Sequence, residues 1–199
     1  MPATMSLPDD WAADQEDRRF RFEHVGPPSS TEILSYDRHG EARQVEGLVS
    51  GGTGHNPIGL TFRFLLDTGW TVRLFELRPL GTFEPVRLQS QGSGRWTDGH
   101  GLPLDELAGC VDLEFDDTAF SLTPMIRRLG LSAGESVDLD VVSLASDRTI
   151  AVRARRRLSC VRPLDAYRYE DPNAGREWSV RVDGDGFVLE IDDRVRRLV

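Results

Sequence analysis

The stretch that decides the fold is residues 58 to 77, "IGLTFRFLLDTGWTVRLFEL". Leu60, Phe62, Phe64 and Leu66 recur at every second position, and Thr61, Arg63 and Asp67 fill alternate ones. Successive side chains of a strand point to opposite sides, so this segment has one apolar and one polar face. Asp67, Thr68 and Gly69 interrupt the run before "GWTVRLFEL" resumes it, and the whole reads as a long antiparallel hairpin.

Outward from this hairpin the same alternation predicts strands near 19–25, 31–36, 42–50, 84–90, 111–115, 136–145, 149–162, 166–170, 177–183 and 186–191. So many half-buried strands are best buried by a mainly β fold, an antiparallel sheet strongly curved into a barrel or half-barrel, with one or two short helices. "VDGDGF" at 182–187 fits a tight hairpin turn, with Gly184 and Gly186 free to take positive φ. The best helix is "TPMIRRLG", where Thr123 can cap, Pro124 can start and Gly130 can stop two turns. Loops are expected at "VGPPSS" (25–30), "SGGTGHNP" (50–57) and "QGSGRWTDGHGLP" (91–103). Residues 1–18 are expected to be a flexible N-terminal segment and 19–199 a single domain.

The chain of 199 residues is 39% hydrophobic and 29% charged, the profile of a turn-rich globular protein. Its net charge is -9, and all 24 basic residues are arginines. An acidic surface repels phosphate backbones, so no nucleic-acid partner is expected. The opening "MPATMSLPDD" lacks a basic region followed by an apolar one, and no apolar run is long enough to span a membrane. Cys110 and Cys160 form no CxxC, and two buried thiols in a reducing cytoplasm are expected.

Several chemistries lack their required residues. His24, His39, His55 and His100 have no second ligand at metal spacing, so no zinc site is expected. "SGGTGH" is neither a P-loop nor a dinucleotide fingerprint, and no GxSxG occurs. The DxDG beginning at Asp183 places Arg194 where a calcium loop needs a glutamate. No cofactor, metal or catalytic residue is therefore assigned.

Two segments remain. In "CVDLEFDDTAFSLTPMIRRLG" (110–130), Val111, Leu113 and Phe115 oppose Asp112, Glu114 and Asp116, with Arg127 and Arg128 one connection later. This reads first as a solvated acidic face with structural ion pairs. The alternatives are an arginine gripping a polar head group in a cavity, or catalytic carboxylates. In "TIAVRARRRLSCVR" (149–162), Arg153, Arg155 and Arg157 share the outward face, while Ile150, Val152, Ala154, Leu158 and Cys160 form the inward one. Arg156 falls on the inward face, so it needs an internal acid or a partly wet cavity.

From Gly94 onward the motifs "GRWTDG", "LAGCVDLEFDDTAF", "IRRLGL", "YRYE" and "VDGDGFV", with "DTGWTVR" upstream, resemble the bacterial putative glycolipid-binding family. The resemblance runs from about Val45 to the C-terminus. It implies a curved antiparallel sheet similar in outline to lipoprotein-carrier half-barrels, which enclose an apolar cavity. Trp70, Arg73, Trp96, Asp112, Glu114, Phe120, Arg127, Arg128 and Tyr169 stand at the family's motif positions. The chain departs from the pattern at "SLTPM" (121–125), where the family has Thr-Asn-Thr-Leu-Pro, and at "RRLS" (156–159), where it has Gln-x-Tyr-Thr. At Ile191 and Asp192 a tyrosine-proline pair is missing.

The leading expectation is a noncatalytic domain that holds a lipid or glycolipid in the cavity of its curved sheet. Expected ligand-binding residues are Trp70, Arg73, Trp96, Asp112, Glu114, Arg127, Arg128, Arg156 and Tyr169. Phe62, Phe64, Trp70 and Trp96 would line the cavity or, equally, form a packed core. A hydrolase using Asp112 and Glu114, marked by a strongly raised carboxylate pKa, and a ligand-free scaffold are the other two readings.

Overall fold

The computed structural model describes residues 17–198 apart from 27, 146 and 147. Most of the expected N-terminal segment therefore lies outside the described residues. The first strand begins at Arg18. The strands are β1 (Arg18–His24), β2 (Ser30–His39), β3 (Ala42–Thr53), β4 (Asn56–Leu66), β5 (Val72–Pro79), β6 (Val86–Ser90) and β7 (Trp96–Asp98). They continue as β8 (Asp112–Phe115), β9 (Ser136–Ala145), β10 (Arg148–Arg162), β11 (Ala166–Asp171), β12 (Arg176–Val182), β13 (Val188–Ile191) and β14 (Val195–Leu198). One α-helix, α1 (Leu122–Leu129), follows the 3-10 turn Ala119–Ser121.

The fourteen described strands form one sheet in the order β7-β6-β5-β4-β3-β2-β1-β14-β13-β12-β11-β10-β9-β8. This is a seven-stranded meander, β1–β7, joined edge to edge to a six-stranded one, β9–β14, which β8 extends, with Arg21 opposite Leu198 and His24 opposite Val195. Among the described residues β7 does not pair with β8, the contact that would close a barrel, so the sheet is an open half-barrel. Strand twist and bulges at Leu65/Leu66, Cys160/Arg162 and Arg181/Val182 supply its curvature.

The expected 58–77 hairpin is β4 and β5, with Phe64 opposite Phe75 and Phe62 opposite Leu77. Other expectations need correction. The 50–57 loop shrinks to a tight turn because β3 and β4 pair as far as Thr53 and Asn56. The 91–103 loop contains β7, and β8 runs parallel to β9 because the α1 crossover lies between them. On β10, Ile150 and Val152 are exposed rather than inward, because the register with β9 is irregular between Arg148 and Val152 and β11 pairs only from Arg157 onward; Ala151, expected outward, packs against the core instead. The helix starts before Thr123, whose hydroxyl instead accepts from the Val188 N–H at 3.3 Å. It stops as expected, with Gly130 left-handed at φ 53°.

The inner faces of both meanders share one core, and α1 lies against it with Leu122, Met125 and Ile126 buried. The rings of Phe62, Phe64, Phe75, Phe115 and Phe120 stack edge to face or tilted, with neighbouring centroids 4.8 to 5.9 Å apart. The expected aromatic lining is thus packed core. No helix among the described residues is long and apolar enough to cross a membrane.

Candidate functional site

The nine sequence-predicted site residues separate into four settings. The first is the acidic strand β8. Asp112 is almost fully buried and receives a two-pronged hydrogen bond from Arg128 of α1, Nε to Oδ1 at 2.9 Å and Nη2 to Oδ2 at 2.5 Å. Glu114 receives Arg156 Nε at 2.8 Å and the Tyr169 hydroxyl at 2.9 Å, and Arg156 Nη1 reaches Asp171 at 3.0 Å. Arg156 is 8% exposed, so the inward arginine has found internal acids. Burial opposes its charge, yet the hydrogen bond and charge of Glu114 leave its pKa raised. Burial, then the Glu114 charge, pushes the Tyr169 phenol well above its ordinary value.

Asp116 ends this acidic run. Its side chain reaches solvent, but its carboxyl sits against the desolvated cluster. That desolvation, followed by the charge of Glu114 and a hydrogen bond with it, pushes Asp116 up to about 7. The strongly raised carboxylate is Asp116, two residues beyond the Asp112 and Glu114 pair singled out in the sequence.

The second setting is a cation-aromatic stack. The guanidinium carbons of Arg43 and Arg127 lie 4.7 and 4.5 Å from the Trp70 ring centroid, and the ring stacks on Tyr36. Arg127 also donates to the carbonyl of Asp185. In the third, Arg73 Nε donates to Asp67 Oδ2 at 2.9 Å, while Asp67 Oδ1 accepts from the N–H groups of Gly69 and Thr71. This ties the "DTGWTVR" motif into one turn, with Trp70 at φ 63°. In the fourth, buried Trp96 donates from Nε1 to the Cys110 carbonyl at 2.7 Å. Both cysteines are free and buried, and burial pushes both thiols up. Among the described residues no group of three or more His, Cys, Asp or Glu is placed to hold a metal.

A groove of about 550 Å³ lies on the opposite, outer face of β1–β5. Sheet register arranges its floor in rows. One row runs Arg19, Ser35, Glu46, Arg63, Glu76, and the next contains Ile33, Leu48, Thr61 and Arg78. The rows are two residues, or about 7 Å, apart along the strands. Glu76 is clasped by Arg63 Nη2 at 2.5 Å and Arg87 Nε at 2.7 Å. Ile33 and Leu48 are exposed. The groove therefore has a charged row beside one whose Ile33–Leu48 half is apolar, and its size falls within the roughly 300–1,000 Å³ of ligand sites.

None of the nine predicted residues lines this groove. The signal that could have found it is parity: Ile33 in "TEILSY" and Leu48 in "VEGLVS" are apolar at polar-face positions. Parity also marks Glu32, which falls on the inward face with Leu34 and Tyr36. Fully buried, Glu32 accepts from the Ala119 N–H at 3.1 Å and the Thr118 hydroxyl, and pairs with His24 Nε2 at 3.0 Å. It fastens β2 to the approach of α1.

Fold and site together define a mainly β protein built on one open, curved antiparallel sheet with a groove on its outer face. A family model described as "Putative glycolipid-binding" matches residues 23–197, and the chain belongs to that family. A crystal structure of a DUF1089 family protein from Pseudomonas aeruginosa is similar, with a TM-score of 0.76 and 25% identity over 87% of this chain and 94% of that one. No curated protein matches.

Proposed function

We propose that the protein binds a glycolipid or a closely related amphiphile, without catalysis, in the outer-face groove. The observation that carries this reading is the pairing of exposed Ile33 and Leu48 with the row Glu46, Arg63 and Glu76 inside one concavity. An alkyl chain removes apolar surface from water at Ile33 and Leu48. Sugar hydroxyls both donate and accept, so carboxylates and guanidinium groups suit them. The family description supports a binding role.

Native mass spectrometry of the purified protein tests this, with denaturing extraction of any adduct and titration with a short-chain alkyl glucoside. A stoichiometric amphiphile, or saturable glucoside binding lost on Leu48→Trp, is the expected result. A bare protein that binds no glucoside refutes it.

A second reading, acid-base hydrolysis, draws support from solvent-accessible Asp116, whose carboxyl is held near neutrality beside Glu114. Turnover of ester or glycoside substrates abolished by Asp116→Asn would favour it. The same turnover in the variant would remove it.

A further inference from the structure

The groove lies near an end of the molecule that exposes several large apolar side chains. Register places the β1–β2, β3–β4 and β5–β6 connections at the same end of adjacent strands, since Ser30 opposes Gly51 and Leu60 opposes Pro79. Five large apolar residues are exposed at this end or on the adjoining groove face: Val25, Ile33, Leu48, Leu80 and Phe83. Scattered exposed apolar residues are ordinary, but a set gathered at one end, with two on a single turn beside a groove, marks an interaction surface.

The β5–β6 turn is the most exposed part of that set. Leu80 and Phe83 are 85% and 97% exposed. The turn is nonetheless anchored. The Leu80 N–H donates to the Gly59 carbonyl at 2.7 Å, Arg78 Nη1 donates to the Phe83 carbonyl at 3.2 Å, and Leu80 lies over Gly59 so closely that a Cβ there would approach its Cδ2 to 3.2 Å. Arg78 and Pro85, which flank the turn, both line the groove. The side-chain row Glu76, Arg78, Leu80 therefore runs from the charged part of the groove out to the apolar tip.

Charge indicates the occupant. Residues 25–29, 54–55 and 80–85 read "VGPPS", "GH" and "LGTFEP", with Glu84 as their one acid and His55 as their one base; the β13–β14 turn beside Val25 adds Asp192, Asp193 and Arg194. Without a cation cluster in these loops, and with a net charge of -9, the surface has no electrostatic attraction to an anionic bilayer. Its apolar tip suits a neutral one.

We propose that this loop end docks on a neutral, zwitterionic lipid surface, with Leu80 and Phe83 entering the bilayer interface and the groove mouth facing it. An amphiphile would then pass between membrane and groove, apolar end nearest the tip. The transfer step rests on the groove reading above, but docking is measured separately.

The full chain is floated with phosphatidylcholine vesicles. Wild type is expected to float, and Leu80→Ser/Phe83→Ser to lose affinity by roughly a hundredfold, since each fully buried side chain contributes about tenfold or more. Ile150→Ser, at an exposed apolar site on the other meander, should float as wild type does. Failure of wild type to float, unchanged flotation of the double variant, or flotation only with anionic lipid overturns the proposal. Leu48→Trp separates the two ideas. It should lose the alkyl glucoside but keep vesicle binding, whereas the double variant should keep the glucoside and lose the vesicles.

Discussion

Gly47 and Leu48 are neighbours on β3, yet they face different surroundings. Gly47 points inward, where a Cβ would lie 2.0 Å from Phe62 Cζ. Leu48 points outward over open groove. The inner face is filled by rings, α1 and buried ion pairs, while the outer face carries solvent-exposed ion pairs beside exposed apolar side chains. The difference separates residues buried inside the fold from residues that a ligand can reach. At the family's motif positions, Arg73, Arg128, Asp112 and Glu114 bond to other side chains of this protein, and Arg127 bonds to a backbone carbonyl. The groove is built largely by residues outside those motifs.

Removing a buried charge tests the inner face most severely. Arg156→Met leaves Glu114 and Asp171 without their guanidinium, and should lower the unfolding free energy by about 3 kcal/mol in denaturant titration. Arg156→Met/Glu114→Leu should recover most of that loss. If Arg156→Met is neutral, the network is not a structural element and a ligand role becomes the better account. Gly47→Ala comes next. Phe62 is hemmed in by Phe64 and Phe115 and has little room to yield, so overpacking should cost about 2 kcal/mol. A smaller cost would mean that the inner face retains slack.

The long inner face was legible in sequence because alternation is a local signal, strongest in the 58–77 hairpin. Burial of Arg156 could be read from its parity, but Asp171 could not be named as a partner, because that contact depends on how β10 meets β11. β14 has only four residues, "VRRL", and its partner β1 lies at the other end of the chain, so no local pattern announces it. The groove was hidden for a related reason. It arises from five strands lying side by side with a particular curvature, whereas in sequence Ile33 and Leu48 look like isolated exceptions.

Asp116 is solvent-exposed yet sits against the buried ion-pair cluster, and its expected effect is smaller. Its folded pKa of about 7 lies above the ordinary 3.8, so the folded state binds the extra proton. The resulting stability is fully present below the unfolded pKa, falls as pH rises through about 7, and is absent above it. Asp116→Asn should flatten this slope and stabilise the protein at pH 8 by on the order of 1 kcal/mol, discounted for its solvent exposure. An unchanged slope between pH 4 and 7 would place the titration elsewhere.

The smallest stability change is expected at Leu48→Trp, and that is why it is informative. An exposed position without a cap, buried partner or special backbone should shift unfolding by no more than about 0.5 kcal/mol. The indole would nevertheless occupy the space between Ile33 and Thr61, so alkyl glucoside affinity should fall at least about tenfold, the worth of one well-buried apolar contact. Stability and binding would then separate at one residue, whereas at adjacent Gly47 they would fall together. If Leu48→Trp leaves binding intact while Arg156→Met abolishes it without unfolding the chain, the ligand belongs on the inner side, among the motif residues.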